Sequence, residues 1–140
     1  MKIFFPGIKG SYAHSVCINH LSEYDPVESS SAENAFFSFV DDKEEGSMLL
    51  LPFENTIGGK VLDIHDLIFD FTDCFIVNEY YLLIEHCFAV ANGMTFDKIR
   101  TVMSHLQALR QCSRFVEINE FSQIEKGNTA EAAKFVAENG

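Results

Sequence analysis

Tryptophan is absent from this sequence, and basic residues are scarce, with 10 Lys and Arg against 21 Asp and Glu. The formal net charge is therefore −11 at pH 7. Nucleic-acid phosphates require clustered Lys and Arg, and the sequence has no such cluster, so we expect no nucleic-acid partner. The 14 phenylalanines suit a packed interior instead. We expect small molecules or proteins as partners.

The cysteines form no C-x-x-C pair and have no histidine at zinc-ligand spacing. They are Cys17, Cys74, Cys87 and Cys112. We interpret them as buried thiols in a reducing compartment. The sequence also shows no signal-peptide pattern and no apolar run that approaches a membrane span. These absences predict a cytoplasmic protein without a metal site and without membrane contact.

Apolar runs bounded by turn residues alternate with amphipathic runs, which predicts an α/β fold with largely parallel sheets. The predicted strands are Lys2–Pro6, a short one near Val27, 47–52, 101–103 and 116–121. The predicted helices are 11–21, 32–40, 96–99, 104–112 and Thr129–Asn139, with a further one in which Val61, Ile64, Ile68 and Phe71 repeat at helical spacing.

Residues 75–90 are unusually long for one strand and are rich in β-branched and aromatic side chains. We interpret this run as one bent strand that leaves a first lobe and enters a second. The expected division is a first α/β lobe over residues 1–75 and a second over residues 76–140.

A helix over residues 104–112 would carry neutral polar groups on one side, with Ser104 as its cap, and apolar groups on the other. The polar row is Ser104, Gln107 and Gln111, and the apolar row is Leu106, Leu109, Cys112 and Val116. The apolar row predicts core. The polar row taken alone is better explained as an ordinary solvated face, although its lack of Lys and Glu points toward a ligand site.

Four strand-to-helix junctions carry small polar residues: Gly10-Ser11-Tyr12, Glu54-Asn55-Thr56 with Gly58-Gly59, Ser104-His105, and Asn128-Thr129. In open α/β sheets the carboxyl ends of strands bind ligands, because free N–H groups and helix dipoles converge there. Any one junction taken alone is better explained by helix capping. The four together favour a site for a small anion.

Glu54 follows a hydrophobic strand, where partial desolvation would raise the pKa of its carboxyl toward a useful value for proton transfer. The alternative is that it only caps or pairs. The histidines are scattered, and spacing assigns none of them a chemical role.

These residues resemble the prephenate dehydratase catalytic domain over nearly the whole chain. Five blocks occur in the family's order, and together they are specific. Residues 6–14 (PGIKGSYAH) are similar to G-P-x-G-[ST]-[YF]-S-H, 51–61 (LPFENTIGGKV) to V-P-I-E-N-S-x-x-G-x-V, 79–87 to the long strand that ends in H-C-L, 104–112 (SHLQALRQC) to S-H-P-Q-A-L-x-Q-C, and 128–133 (NTAEAA) to S-T-A-x-A-A.

The resemblance implies a two-lobed α/β fold similar to periplasmic binding proteins, with prephenate held between the lobes. It implies decarboxylating dehydration of prephenate to phenylpyruvate, a carbon-oxygen lyase reaction of phenylalanine biosynthesis, and no metal or organic cofactor. Carried over by motif, the residues expected to be catalytic are Glu54, Asn55, Ser104 and Gln111. The residues expected to bind substrate are Ser11, Tyr12, Thr56, Gln107, Thr129 and Ala130.

Three departures accompany the resemblance. Thr56 replaces a serine and keeps the hydroxyl, while Leu106 replaces a proline and removes only rigidity. The family chain also continues past Gly140 with a Thr-Arg-Phe segment, which carries its expected proton donor, and commonly with a regulatory domain. We therefore expect weak or no turnover, lower by about 10²–10⁴-fold. The alternatives are a non-catalytic module that binds an aromatic keto acid or amino acid, and a homo-oligomer that exchanges lobes.

Overall fold

The computed structural model describes residues 1–70 and 74–139. The chain separates into two compact units, Met1–Leu82 and Leu83–Gly140. Each unit has its own parallel β-ladder, which confirms the predicted α/β class with largely parallel sheets. The boundary between the units falls within the apolar run over residues 75–90.

The first unit is built on a parallel sheet in the order β2-β1-β3. An antiparallel hairpin, β4-β5, follows it in the chain. The elements are β1 (Lys2–Pro6), α1 (Tyr12–His20), β2 (Asp25–Ser29), α2 (Ala32–Asp41), β3 (Met48–Leu49), β4 (Glu54–Asn55), β5 (Gly59–Lys60) and α3 (Leu62–Asp70).

The central strand β1 is apolar on both faces because both faces are covered. Side chains alternate along a strand, so Ile3 and Phe5 share one face and Phe4 points to the other. Ile3 and Phe5 pack in one buried cluster with Val16, Cys17 and Leu21, from α1 and its carboxyl end. Phe4 makes an edge contact with Phe39 of α2, with ring centroids 6.5 Å apart. Helices thus cover opposite faces of the sheet, as the continuous apolar run of β1 requires.

The second unit contains one parallel pair of strands, β6 and β7. Its elements are a 3-10 turn (Phe96–Lys98), β6 (Thr101–Ser104), α4 (Leu106–Gln111), α5 (Ser113–Ile118), β7 (Ser122–Glu125) and α6 (Thr129–Asn139). Four aromatic rings contact one another in every pairing, with centroids 5.2–6.4 Å apart, and they are Phe88, Phe96, Phe115 and Phe121. Leu109 and Val116 are buried, whereas the ring cluster is only partly covered, with Phe88, Phe96 and Phe115 43%, 52% and 40% exposed.

The strand predicted over residues 116–121 is wrong, because Val116 lies in α5 and β7 begins at Ser122. The helix ends in a Schellman arrangement: Glu120 has a φ of +53°, its N–H donates to Glu117 O, and the N–H of Phe121 donates to Val116 O. Glycine normally marks this left-handed position. Since Glu120 occupies it here, the sequence carried no visible stop signal.

The long strand predicted over residues 75–90 is also not found. Within the part of the chain that the structure describes, residues 74–90 join no β-ladder. Strands exist only as hydrogen-bonded pairs, and no described segment offers this run a partner. The strand predicted over 47–52 shortens to Met48–Leu49, since its ladder with β1 pairs these two residues. Phe71, predicted to belong to the helix over Val61 to Ile68, lies outside the described residues.

The expectation of four buried thiols is wrong for three of them. Cys17 is buried, and desolvation raises the pKa of its thiol. Cys74 and Cys112 are half-buried, whereas Cys87 is exposed. The helices described in both units include none with the length and apolar character needed to cross a membrane.

Candidate functional site

The first group of candidate residues follows β1. Gly7 has a φ of +107°, and its N–H donates to Ser29 O at 2.8 Å, which turns the chain away from the sheet. Ser11 then caps α1, with its hydroxyl oxygen accepting from the backbone N–H of His14 at 3.3 Å. Tyr12, the first residue of α1, is 41% exposed. The turn therefore brings Ser11 and Tyr12 to the carboxyl end of β1.

The second group lies on the β4-β5 hairpin rather than on a plain strand-to-helix turn. Asn55 Oδ1 accepts hydrogen bonds of 2.9 Å from the backbone N–H groups of both Ile57 and Gly58. An amide oxygen that accepts two backbone N–H groups leaves the NH₂ group of Asn55 as the end available to a ligand. Thr56, between them, is exposed.

Both groups follow the carboxyl ends of adjacent parallel strands. Ile3 pairs with Met48 and Phe4 with Leu49, and the N–H of Leu50 donates to Phe4 O at 2.9 Å. The chain that leaves β1 and the chain that leaves β3 therefore start from one sheet edge, where parallel α/β sheets bind ligands.

Glu54 is exposed within the first unit, so the predicted desolvation of its carboxylate is not found there. It is the first residue of β4, opposite Lys60 in register, where water reaches it. A hydrogen bond from Tyr81 to Glu79 raises the pKa of Tyr81, and the charges of Glu79 and then Glu54 contribute to the same shift. The preceding residue, Phe53, stacks on His65 of α3 with centroids 4.1 Å apart.

The third group lies at the carboxyl end of β6 in the second unit. Ser104 pairs with Glu125 in the β6-β7 ladder, and its carbonyl accepts from the N–H of Lys126 at 2.9 Å. Ser104 was predicted to cap the following helix, but the cap is His105, whose Nδ1 accepts from the N–H of Gln107 at 3.3 Å. The ladder continues through Ser104, so the helix begins one residue later than predicted.

Helix α4 carries the predicted row of side-chain amides. Nε2 of Gln107 is buried and has no hydrogen-bond partner among the described residues. Gln111, one turn further, uses Oε1 in a short hydrogen bond with Nε2 of His86. The opposite row is core at Leu109 and Val116, which are 5% and 3% exposed. Leu106 is 36% exposed, so its assignment to the core is wrong.

The fourth group opens α6, directly after β7. Asn128 caps this helix, since its Oδ1 accepts from the N–H of Glu131 at 2.8 Å. Thr129 and Ala130, in the first helical turn, are half-buried. Because β6 and β7 run parallel, α4 and α6 both begin beyond the same edge of their ladder.

His86 is the residue at this site that the sequence did not single out. Spacing gave it no chemical role, yet it contacts Gln111 across 25 positions of the chain. The usable signal was its place in the H-C block of the family pattern. No group of three or more His, Cys, Asp or Glu suited to a metal ion occurs among residues 1–70 and 74–139.

The sequence profile of the prephenate dehydratase family matches residues 3–140. The chain belongs to this family. The bifunctional chorismate mutase/prephenate dehydratase of Escherichia coli (strain K12) is similar, with 32% identity over 136 residues that cover 94% of this chain and 34% of that protein. The chain thus spans about a third of the length of the curated relatives it matches.

Two solved structures share the fold, each with a TM-score of 0.80 over 97% of this chain. One is GqqA, described as a novel type of quorum quenching acylase, which is 26% identical to this chain over a match that covers 49% of GqqA. The other is the prephenate dehydratase of Staphylococcus aureus subsp. aureus Mu50, which is 20% identical and 51% covered, a likeness that shows the fold alone. The fold is accordingly that of the prephenate dehydratase catalytic domain, similar to periplasmic binding proteins.

Proposed function

We propose that this chain carries the substrate-binding residues of a prephenate dehydratase, a carbon-oxygen lyase of phenylalanine biosynthesis. The observation that supports this most directly is the state of two amide side chains, one in each unit. Asn55 and Gln111 both have their oxygen engaged within the protein. Their NH₂ groups are left to donate, and donors are what a dianion requires.

The reaction needs little beyond such donors and one acid. The bond from the ring carbon to the hydroxyl breaks, and a proton converts the departing hydroxyl to water. The bond from the ring to its carboxylate also breaks, which releases carbon dioxide and leaves its electron pair in the ring. Phenylpyruvate is the remaining product, and aromatisation of the ring drives the change. Binding in a fixed orientation therefore accounts for much of the rate.

We assign the binding of the two substrate carboxylates to neutral donors, because Lys and Arg are scarce in this chain. The side chains proposed to orient the substrate are Asn55, Thr56, Ser104, Gln107, Gln111 and Thr129, together with Ser11, Tyr12 and the backbone of Ala130. Glu54 adjoins Asn55 and remains a candidate for proton transfer.

The buried Nε2 of Gln107 gives independent support to an anion site. A buried amide NH₂ without a partner costs about 1–3 kcal/mol, and a bound carboxylate would supply the missing acceptor. Gln107 lies one helical turn before Gln111 in α4, on the same face. Two adjacent amide donors suit a carboxylate.

The test is a pair of measurements on this 140-residue chain. Calorimetric titration with prephenate measures binding, and absorbance of phenylpyruvate measures turnover. Binding with turnover supports the enzyme, whereas binding without consumption supports the module that senses an aromatic keto or amino acid. Absence of both would overturn the proposal. Hydrolysis of acylated substrates serves as the comparison activity, because GqqA is described as an acylase.

We also propose that the protein is cytoplasmic and forms homo-oligomers. Cys17, Cys74, Cys87 and Cys112 are all free thiols, as expected in a reducing compartment. Residues 74–90 join no ladder and expose apolar side chains, with Phe75, Val77 and Tyr81 at 84%, 73% and 87%. Unpaired backbone that carries exposed apolar side chains favours association with another copy. A monomeric mass by light scattering at high concentration would contradict the oligomer.

A further inference from the structure

His86 and Gln111 are joined by a side-chain hydrogen bond within the second unit, between Nε2 of the ring and Oε1 of the amide. The two residues come from separate segments. His86 belongs to the extended run that carries Phe88 into the aromatic ring cluster, and Gln111 ends α4. The contact is therefore a tertiary one that the fold brings together over 25 positions.

The direction of this hydrogen bond determines which end of the Gln111 amide, the oxygen or the NH₂ group, remains available to a ligand. An amide oxygen can only accept, so the His86 ring donates through an N–H on Nε2. That contact restricts rotation about the last torsion of Gln111 and turns its NH₂ group away from the ring. Without it, the amide could flip and present its oxygen, which repels a carboxylate.

Asn55 shows the same arrangement in the first unit, where backbone N–H groups of Ile57 and Gly58 hold the amide oxygen. A short loop can supply backbone donors to Asn55. Gln111 lies at the carboxyl end of a helix, where free carbonyls rather than free N–H groups are found. A side-chain donor is therefore needed to hold its oxygen, and His86 provides one.

We propose that His86 is a positioning residue, which holds the oxygen of Gln111 so that the Gln111 NH₂ group donates to a carboxylate of the anionic substrate. This inference rests on the proposed function, because it assigns Gln111 a carboxylate to bind. His86 itself touches neither substrate nor reacting atoms. Its contribution is to fix one orientation of the amide before the ligand arrives, which reduces the ordering cost of binding.

The experiment compares three substitutions at His86 by prephenate titration of the full chain. His86→Ala removes the donor and raises Kd about three- to tenfold, the worth of one neutral hydrogen bond. His86→Gln keeps an NH₂ group near the position of Nε2 and restores affinity to within about twofold of wild type. His86→Asn places its NH₂ group closer to the backbone and behaves like alanine. Cys87→Ala, an exposed neighbour, is the matched control and leaves Kd unchanged.

A double-mutant cycle with Gln111→Ala separates positioning from a general structural effect. If His86 acts through Gln111, adding His86→Ala to Gln111→Ala changes Kd by less than twofold. In ¹H–¹⁵N spectra, His86→Ala shifts the side-chain NH₂ signals of Gln111, and His86→Gln restores them toward wild type. This second readout needs no ligand.

The outcomes distinguish the two proposals. If wild type binds prephenate and the fold-changes in Kd of His86→Ala and Gln111→Ala multiply in the double variant, the role of His86 is overturned but the proposed function is not. Unchanged NH₂ signals of Gln111 in His86→Ala do the same. Wild type that fails to bind prephenate overturns the proposed function, and the assignment of a substrate carboxylate to Gln111 falls with it.

Discussion

The hydroxyl of Ser47 donates a hydrogen bond of 2.7 Å to Asp42 Oδ2, across the loop between α2 and β3. Lys2 of β1 reaches the other carboxylate oxygen at 3.0 Å. These two contacts hold the pKa of Asp42 below its usual value, and the hydrogen bond from Ser47 contributes the most. One carboxylate therefore ties the end of α2 to β1 and to the residue that precedes β3.

The first prediction concerns acid stability. A carboxyl group whose pKa is lower in the folded state stabilises the fold above its unfolded pKa, and this contribution is lost as pH falls through the folded pKa. The first unit should therefore lose stability below about pH 4, and Asp42→Asn should make that loss shallower. Urea unfolding followed by tyrosine fluorescence measures it, because Tyr12, Tyr24, Tyr80 and Tyr81 all lie in the first unit. Asp41→Asn, at an exposed neighbour, is the control, and an equal effect there would contradict the prediction.

The second prediction tests the amide of Asn55. In Asn55→Asp, a carboxylate oxygen still accepts from Ile57 and Gly58, so the hairpin persists while the NH₂ donor is lost. We expect the affinity for prephenate to fall by about 10- to 100-fold, as for loss of a hydrogen bond to a charged group. Titration calorimetry measures this change. Asn19→Asp introduces the same charge on the exposed face of α1 and should have little effect. Unchanged affinity in Asn55→Asp would remove Asn55 from the site.

The third prediction compares two glycines of the first turn. Gly7 and Gly10 have φ values of +107° and +91°, so alanine is strained at both. A Cβ at Gly7 would also lie 3.1 Å from Ser11 Oγ, whereas one at Gly10 meets nothing within 4 Å. We expect both variants to lower the free energy of unfolding by about 1–3 kcal/mol, with Gly7→Ala the more costly. Urea titration checks the order, and Gly10→Ala as the worse variant would contradict it.

The fourth prediction concerns the ring cluster of the second unit. Phe121 stacks on Phe88 at 5.8 Å and contacts both other rings. Phe121 is half-buried, so Phe121→Ala should destabilise this unit by about 1–3 kcal/mol, less than the loss of a fully buried ring. Phe75→Ala, at a ring that is 84% exposed, should change stability by less than about 0.5 kcal/mol. Loss of far-UV circular dichroism under denaturant measures both variants, and comparable losses of stability would show that the ring contacts of Phe121 add little.

The sequence predicted most of the α/β order because apolar periodicity is a local signal. Strand Lys2–Pro6 and helix Thr129–Asn139 occur with the bounds expected. The helix over Val116 was missed because Glu120, rather than glycine, adopts the left-handed turn that ends it. The run over 75–90 was misread because β-branched residues indicate strand propensity but cannot show whether a partner strand exists.

The site was predicted in the same uneven way. Motif blocks pointed to Asn55 and Gln111, since a pattern of residue types marks them. Orientation could not be predicted, because the contact from His86 and the exposure of Glu54 both depend on tertiary placement. Sequence motifs therefore named the candidate groups, and only the fold showed that the oxygen of each amide is hydrogen-bonded within the protein.

The absence of a β-ladder over residues 74–90 has a consequence for hydrogen–deuterium exchange. Backbone amides outside a ladder exchange hydrogen for deuterium without prior opening of the fold. Those of a central strand exchange only when the strand unfolds, which is rare. In a deuterium-exchange time course, residues 74–90 should therefore take up deuterium at the earliest time points, whereas β1 should stay protected much longer. The measurement locates the segment that connects the two units and needs no ligand or mutation.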